Sequence, residues 1–541
     1  MTSFLYQINN LRIPVEAAPG LLPGRIAKEL KIKTNQIVSV TLVREAIDAR
    51  KKPRVFRVVN LAFTTRTALA EPLPNQVKKL ERDPKEVPRP ETLPLAQPRP
   101  AEKPVVVIGA GPAGLFAALA LCEAGVPTVL LERGKPVETR MRDIGQLRSH
   151  GVLDPESNVC FGEGGAGTYT DGKLYTRIKH PFVRWVYRRL VDFGAPERIL
   201  VDAHPHLGTD KLVKLVKEMR LHLIAQGTDV RFGARVTRVV IEKGSARGVE
   251  LADGSFIAAR AVVLAVGHSA RDTLAQLHQD GVRIEPKPFA VGVRAEHPQT
   301  LINQSQFGTP QPPGDLEAAA YRLTHQADDP RIGKRGVYSF CMCPGGFIVP
   351  SPTEPEHMAI NGMSNANRSA PFANSGIVVQ VTPEDLIAEG YQEHPLMGIQ
   401  FQRDLEAVAF RAVKEPFRAP AMRIDDFVKR KASGQLAAGH FRPGVEAMDL
   451  WDVLPHWIAT PMQQAFKRFD RLIAGYASSE GNILAVESRT SAPIRITRDA
   501  RFEAEGVRGL FPIGEGAGYA GGIVSAAVDG LRVAEILIGE P

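Results

Sequence analysis

The stretch "VVVIGAGPAGLFAALALCEAGVPTVLLERG", residues 105–134, restricts this chain more than any other. It opens on a continuous apolar run, the pattern of a strand buried on both faces of a parallel sheet. A G-x-G-x-x-G follows at once and leads into an apolar helix expected to stop at Gly125. A second strand then ends in Glu132, 23 positions after Gly109. Strand, glycine turn, helix, strand and acid together are the full context of a dinucleotide-binding unit. Gly109 permits the tight turn, Gly111 lets backbone approach a pyrophosphate, and Gly114 lets the helix pack on its strand. The diphosphate would sit on N–H groups at the helix N-terminus. Glu132, with Arg133 beside it, is expected at the ribose, whose hydroxyls would donate to the carboxylate.

The whole chain has 541 residues, enough for two or three domains. Residues 1–66 read as a small α+β domain, with strands in "FLYQINNLRIPV", "VSVTLVREAI" and "RVFRVVNLAF" and a short helix in "PGRIAKELKI". Residues 67–103 are dense in proline and charge. Proline favours extended backbone and removes hydrogen-bond donors, so a semi-rigid linker is expected. From residue 104 strands and helices alternate. "DKLVKLVKEMRLHLIAQG" places Leu212, Leu215, Val216, Met219 and Leu223 on one helical face, capped by Thr209 or Asp210 and stopped by Gly227. Strands with turns at Lys243-Gly244 and Asp253-Gly254 come next.

"GLFPIGEGAGYAGGIVSAAVDGLRVAEIL", residues 509–537, closely resembles the second flavin-contacting segment of flavoproteins related to glutathione reductase and p-hydroxybenzoate hydroxylase. The resemblance implies FAD. It places Gly514 and Glu515 at the ribityl chain, with Glu515 standing where relatives usually have Asp. It puts the N–H groups of Gly521, Gly522 and Ile523 near flavin N1 and O2, where a helix N-terminus favours negative charge. "ARAVVLAVGHSARDT" resembles the strand that ends beside FAD at a glycine, here Gly267. Val236, in the strand before it, falls where relatives hold adenine with main-chain groups. Together with "GEGGAGTYTDGKL", "PHLGTDKL", "FCMCPGGFIVP", "NGMSNANRSAPFANSG" and "ESRTSAP", these segments resemble a widespread family of uncharacterised FAD-dependent dehydrogenases.

The fold this implies is α/β. A discontinuous Rossmann-type FAD-binding domain, residues 104–280 and 481–541, would be interrupted by an α+β substrate domain at 281–480, with the small α+β domain in front. The function implied is an FAD-dependent oxidoreductase that passes hydride to or from flavin N5 on an unidentified small molecule. An FAD-dependent monooxygenase and an RNA-binding or RNA-modifying flavoprotein are the alternatives. No second strand–GxGxxG–helix unit is visible, so NADH or NADPH as reductant would have to dock transiently. A protein electron-transfer partner is the other source left open.

Other residues are candidates by position. "FGEGGAGTYTDGKLYTR", residues 161–177, holds five glycines, a density that suits backbone passing close to a ligand. Gly165, Thr168 and Lys173 are its expected cofactor contacts, with Lys173 or Thr168 near N5. His206, in "HPHLGTDKL", is a candidate proton donor against the reading of a loop histidine bonded to backbone. No acidic or sulfur ligand stands at metal spacing from it. Arg489 could clamp a carboxylate or phosphate, or serve a structural ion pair. In an even strand Cys341 and Cys343 share a face, with Cα atoms roughly 6.6 Å apart. That separation is near the upper limit for a disulfide, so packing or a flavin-coupled thiol, with Cys343 as the catalytic candidate, are the readings kept.

Composition sets the outer limits. Residues 1–103 hold 19 Lys+Arg against 10 Asp+Glu, and the remainder is balanced at 49 against 49. The net charge of +9 therefore sits in the N-terminal segment, either as a solubilising face or as a surface for nucleic acid or another anion. Four cysteines make no disulfide framework and point to a reducing, cytoplasmic compartment. No signal peptide is visible, and glycines and a proline break the longest apolar run, so no membrane span is expected.

Overall fold

The computed structural model describes residues 3–17, 19–95, 103–170 and 172–539. The run Val105–Ile108 forms the centre of a five-stranded parallel sheet. Across it lie Leu510–Pro512, Ala261–Leu264, Val105–Ile108, Thr128–Leu131 and Asp229–Arg231, in that order. Side-chain alternation divides its two faces. Val105, Val107, Leu130 and Val263 pack against the helices Pro112–Glu123 and Ile523–Gly539. Val106, Ile108, Val129, Leu131, Val262 and Leu264 pack toward the antiparallel meander Val236–Glu242, Ser245–Leu251 and Phe256–Ala258. Each such buried side chain contributes about 1.5–3 kcal/mol, which is why the run is apolar at every position.

The expected elements of this part form. The helix Thr209–Ala225 buries Leu212, Leu215, Val216, Met219 and Leu223, though its cap is Gly208. Thr209 Oγ1 instead donates to Thr170 O at 2.7 Å, and Asp210 accepts from the Ala366 amide at 2.8 Å. The hydroxyl and carboxylate expected to cap the helix are used to tie neighbouring loops to it.

A seven-stranded sheet forms the second large body. Its order is Thr324–Asp329, Gly333–Cys343, Phe372–Val381, Phe289–Pro298, Asn482–Glu487, Ala419–Arg423 and Val445–Ala447. Asn482–Glu487 lies inside it, between Phe289–Pro298 and Ala419–Arg423, so residue 481 is too early for the return to the parallel-sheet unit. The crossing is made by Ile284–Pro286 paired antiparallel with Ile494–Ile496.

Residues 4–65 form strands Phe4–Pro14, Ile37–Lys51 and Arg54–Thr65 with the helix Leu22–Leu30. The segment expected to be a linker does more than span. Its residues Val77–Lys79 add a fourth strand to this sheet, and Leu93 is buried against the parallel-sheet unit. Arg89 reaches Glu123 Oε2 at 2.5 Å. Residues 96–102 of that segment lie outside the described residues. Among the described residues, no helix is long and apolar enough to cross a membrane.

Candidate active site

The two bodies enclose a cavity of about 750 Å³. The glycine turn after Val105–Ile108 forms part of its wall and shows why each glycine is needed. Gly109 has φ +103°, and a Cβ there would lie 2.4 Å from Ala265 O. A Cβ on Gly114 would lie 1.9 Å from Gly109 O, so Gly114 sits under the turn and off the cavity. Gly111 differs: its Cβ would meet nothing nearer than Gly165 Cα at 3.8 Å, and it faces the open cavity. Protein packing leaves room for a side chain there, so Gly111 keeps the space clear for a ligand.

Glu132 lines the same cavity, yet its carboxylate is already engaged. Oε2 accepts from the Ala110 amide at 2.9 Å, and Oε1 from the amides of Gly134 and Gly162 at 2.9 and 3.0 Å. These three bonds fix the acid and leave part of its acceptor capacity unused. Arg133 is held by Glu156 at 2.7 Å and Asp272 at 3.0 Å over the Phe161 ring. Val236, Gly165 and Gly267 also border the cavity. Thr168 does not: it is buried in the turn Ala166–Tyr169 beneath Gly164.

From the far end of the chain, Gly514, Glu515, Gly521, Gly522 and Ile523 reach the wall at the start of the helix Ile523–Gly539. Burial pushes the Glu515 carboxyl up to about 7, with Lys287 opposing that rise and the Cys341 sulfur adding to it. Lys173 and Cys341 stand on the cavity too, with Nζ and Sγ 3.9 Å apart.

The C-x-C does not form an even strand. Phe340 pairs with Gly376 and Cys343 with Asn374, so three steps on one strand oppose two on its partner. This is a β-bulge, and Cys341 takes φ +46° within it. The extra residue turns the two cysteines apart. Cys341 faces the cavity, whereas Cys343 is fully buried, with Sγ 3.2 Å from Cys341 O and 4.0 Å from Arg294 Nη1. Cys343, the expected catalytic candidate, therefore does not reach the cavity, and the cysteine that does is Cys341. His206 is also off the cavity wall, with Nε2 3.3 Å from Ser364 Oγ.

Arg489 borders the cavity from a buried ionic group. Glu406 takes its Nε and Nη2 at 2.9 and 2.8 Å and takes Arg271 at 2.8 and 3.1 Å. The two guanidinium groups hold the Glu406 carboxyl well below the usual range. Arg489 Nη1 turns to Thr353 at 2.8 Å and Ser269 at 3.3 Å. The ion-pair reading of Arg489 is realised. Burial, helped by both arginines, pulls the nearby His268 down to about 4, so it is neutral at pH 7. Sequence patterns did not point to Glu406, which comes from a distant segment with no local signature, whereas Asn361 opens the stretch "NGMSNANRSAPFANSG", where no role was given to it.

Comparison with known proteins agrees with this geometry. Residues 102–152 match the profile of an FAD binding domain, and 288–490 match "FAD-dependent protein, C-terminal domain-like". Residues 6–64 match a domain of unknown function. An uncharacterised protein of Clostridium beijerinckii is 38% identical over 534 residues, covering 98% of each chain. The chain belongs to this family of FAD-dependent proteins. It is an FAD-dependent oxidoreductase. FixC of Escherichia coli K12 is 28% identical over 201 residues, 36% of this chain and 44% of its own. Among solved structures, the amino acid oxidase NikD aligns with 81% of this chain and 93% of its own, at 14% identity and a TM-score of 0.34. A likeness that loose says nothing about the substrate taken by this FAD-dependent family.

Proposed function

We propose that the cavity is the FAD and substrate site of a dehydrogenase-type enzyme. What carries this reading is the convergence on one cavity of segments far apart in sequence: residues 109–111, 132–133, 236, 267, 514–515 and 521–523. Bound FAD would supply two-electron hydride chemistry there.

Gly109 and Gly111 would leave room for the diphosphate beside the helix Pro112–Glu123, and Glu132 would accept from ribose hydroxyls through its remaining lone pairs. Val236 would border the adenine end. Glu515, held largely protonated below about pH 7 by burial, can donate as well as accept a hydrogen bond. The amides of Gly521, Gly522 and Ile523 present the positive end of a helix to the ring. Beyond them, Lys173, Cys341 and Asn361 border the space left for a small substrate. Lys173 favours negative charge developing near it.

The test is the visible spectrum of the purified protein after incubation with FAD, followed by anaerobic titration with NADH and NADPH. A yellow protein is expected, and Gly111→Leu is expected to be colourless while remaining folded by circular dichroism. A wild-type protein that stays colourless overturns the proposal. Bleaching by either nicotinamide identifies the reductant. An unbleached flavin assigns that role to the substrate or to a protein partner.

A further inference from the structure

Asn361 borders the cavity, and Met363 stands two residues further along the strand Ile360–Met363. Residues two apart share a face of a strand, about 7 Å from one another. Around Met363 lies a group of side chains that the FAD reading leaves unused. Met363 pairs across the strands with Phe347. Arg148 Nη1 is 4.0 Å from Met363 Sδ, and the Phe347 ring centre is 4.7 Å from that of His440. The Phe372 ring lies against the same imidazole at 6.5 Å. Arg442 follows His440 by two residues, and its charge acts on both His440 and Arg148.

Two guanidinium groups and an imidazole thus surround two aromatic rings and a methionine. Among the described residues, no carboxylate forms an ion pair with any of the three. Elsewhere in the molecule buried arginines are held by several partners: Arg271 by Glu406 and Glu354, Arg489 by Glu406, Arg294 by Glu487, Arg335 by Asp329 and Asp385, and Arg140 by backbone carbonyls. Arg148 is half-buried, and burial together with Arg442 works against its charge. His440 is pulled down by burial and by both arginines. A cation partly removed from water beside like charges is destabilised until an anion joins it. The carbonyl end of the helix Val137–His150 offsets this for Arg148 alone. An arriving carboxylate would meet guanidinium forks suited to two parallel hydrogen bonds, and a flat body attached to it would lie against Phe347 and Phe372.

We propose that Arg148, Arg442 and His440 recognise the carboxylate of an aromatic acid whose other end enters the cavity past Asn361. The proposal rests on the reading of the cavity as a redox site, and it names the substrate class of that site.

The probes are 3-phenylpropionate and its neutral amide, titrated by calorimetry into the FAD-loaded full chain at low salt. The wild type is expected to bind the acid roughly tenfold or more tightly than the amide, as hydrogen bonds to a charged partner require. In the double variant Arg148→Gln/Arg442→Gln the acid is expected to fall to the level of the amide, with amide binding unchanged. Should the double variant fail to fold, Arg442→Gln alone decides, because Arg442 is exposed. A wild type without preference for the acid, or variants that keep the preference, overturn the proposal. Flavin absorbance of the same samples separates the two readings. A wild type that retains flavin but shows no preference for the acid counts against this anion site alone, whereas a wild type without flavin counts against the redox reading.

Discussion

Cys341 and Cys343 occupy different environments although one residue separates them. Cys341 is partly exposed on the cavity wall 3.9 Å from Lys173 Nζ, and Cys343 is fully buried beside Arg294. Alkylation with iodoacetamide should therefore modify Cys341 in the folded protein and Cys343 only on unfolding. Added FAD should slow the reaction at Cys341. Equal labelling of the two in the native state, read by mass spectrometry of the digested protein, would remove Cys341 from the site. The cysteines were legible in the sequence as neighbours of the cofactor, but not which of them faces it. Period-two alternation holds only along an unbroken ladder, and the bulge between Phe340 and Cys343 depends on pairing with Asn374 and Gly376 more than thirty residues away. The position of Glu132 on the cavity wall was legible because strand, turn and acid lie within one short unit.

At the scale of elements, the crossing of two helices sets how closely the cofactor loops approach. A Cβ on Gly530, in Ile523–Gly539, would lie 2.2 Å from Ala113 O in Pro112–Glu123. Gly530→Ala must push these helices apart, and both begin at the cavity. A loss of about 1–3 kcal/mol is expected from overpacking, together with weaker FAD retention on dialysis. Gly145 is the control: it lies within Val137–His150, and a Cβ there would meet nothing within 4 Å. Gly145→Ala should gain about 0.5–1 kcal/mol of stability, since alanine loses less backbone freedom in a helix. Thermal unfolding of both variants checks the contrast, and similar melting temperatures would refute it. The existence of both helices could be read from apolar periodicity and glycine punctuation. Their contact could not, because Ala113 and Gly530 come from opposite ends of the chain. The same holds for Asn482–Glu487: its apolar pattern announces a strand, while the choice of sheet is made by partners at Phe289–Pro298 and Ala419–Arg423.

For the molecule as a whole, the basic N-terminal unit is joined to the rest by more than its chain connection. Val15 and Val55 belong to the hydrophobic core of the seven-stranded body. Arg57 pairs with Asp315, Lys52 donates to Ser305 O, and the Glu45 amide donates to Val201 O at 2.8 Å. Deleting residues 1–66 should therefore lower the melting temperature of what remains, because each lost valine contact forfeits up to about 1.5–3 kcal/mol. Reversing the exposed charges of Lys28, Lys31 and Lys33 to Glu should leave it nearly unchanged. A truncated chain that melts with the wild type would show that the docking carries no weight. Salt-sensitive nucleic-acid binding is for the same reason better tested with the charge reversal than with the deletion. The division into units was visible as shifts in composition and charge, whereas their docking was not, since Val15 and Val55 look locally like any strand valine. The discontinuity of the parallel sheet also bears on biosynthesis. Leu510–Pro512 pairs beside Ala261–Leu264, and Glu515 and the amides at 521–523 lie later still. While the ribosome works through the intervening two hundred and more residues, the nascent sheet has an open edge and half a cofactor pocket. On the proposed reading of the cavity as the FAD site, its wall is complete only once the distal segment has emerged, which ties holoenzyme formation to translation of that segment.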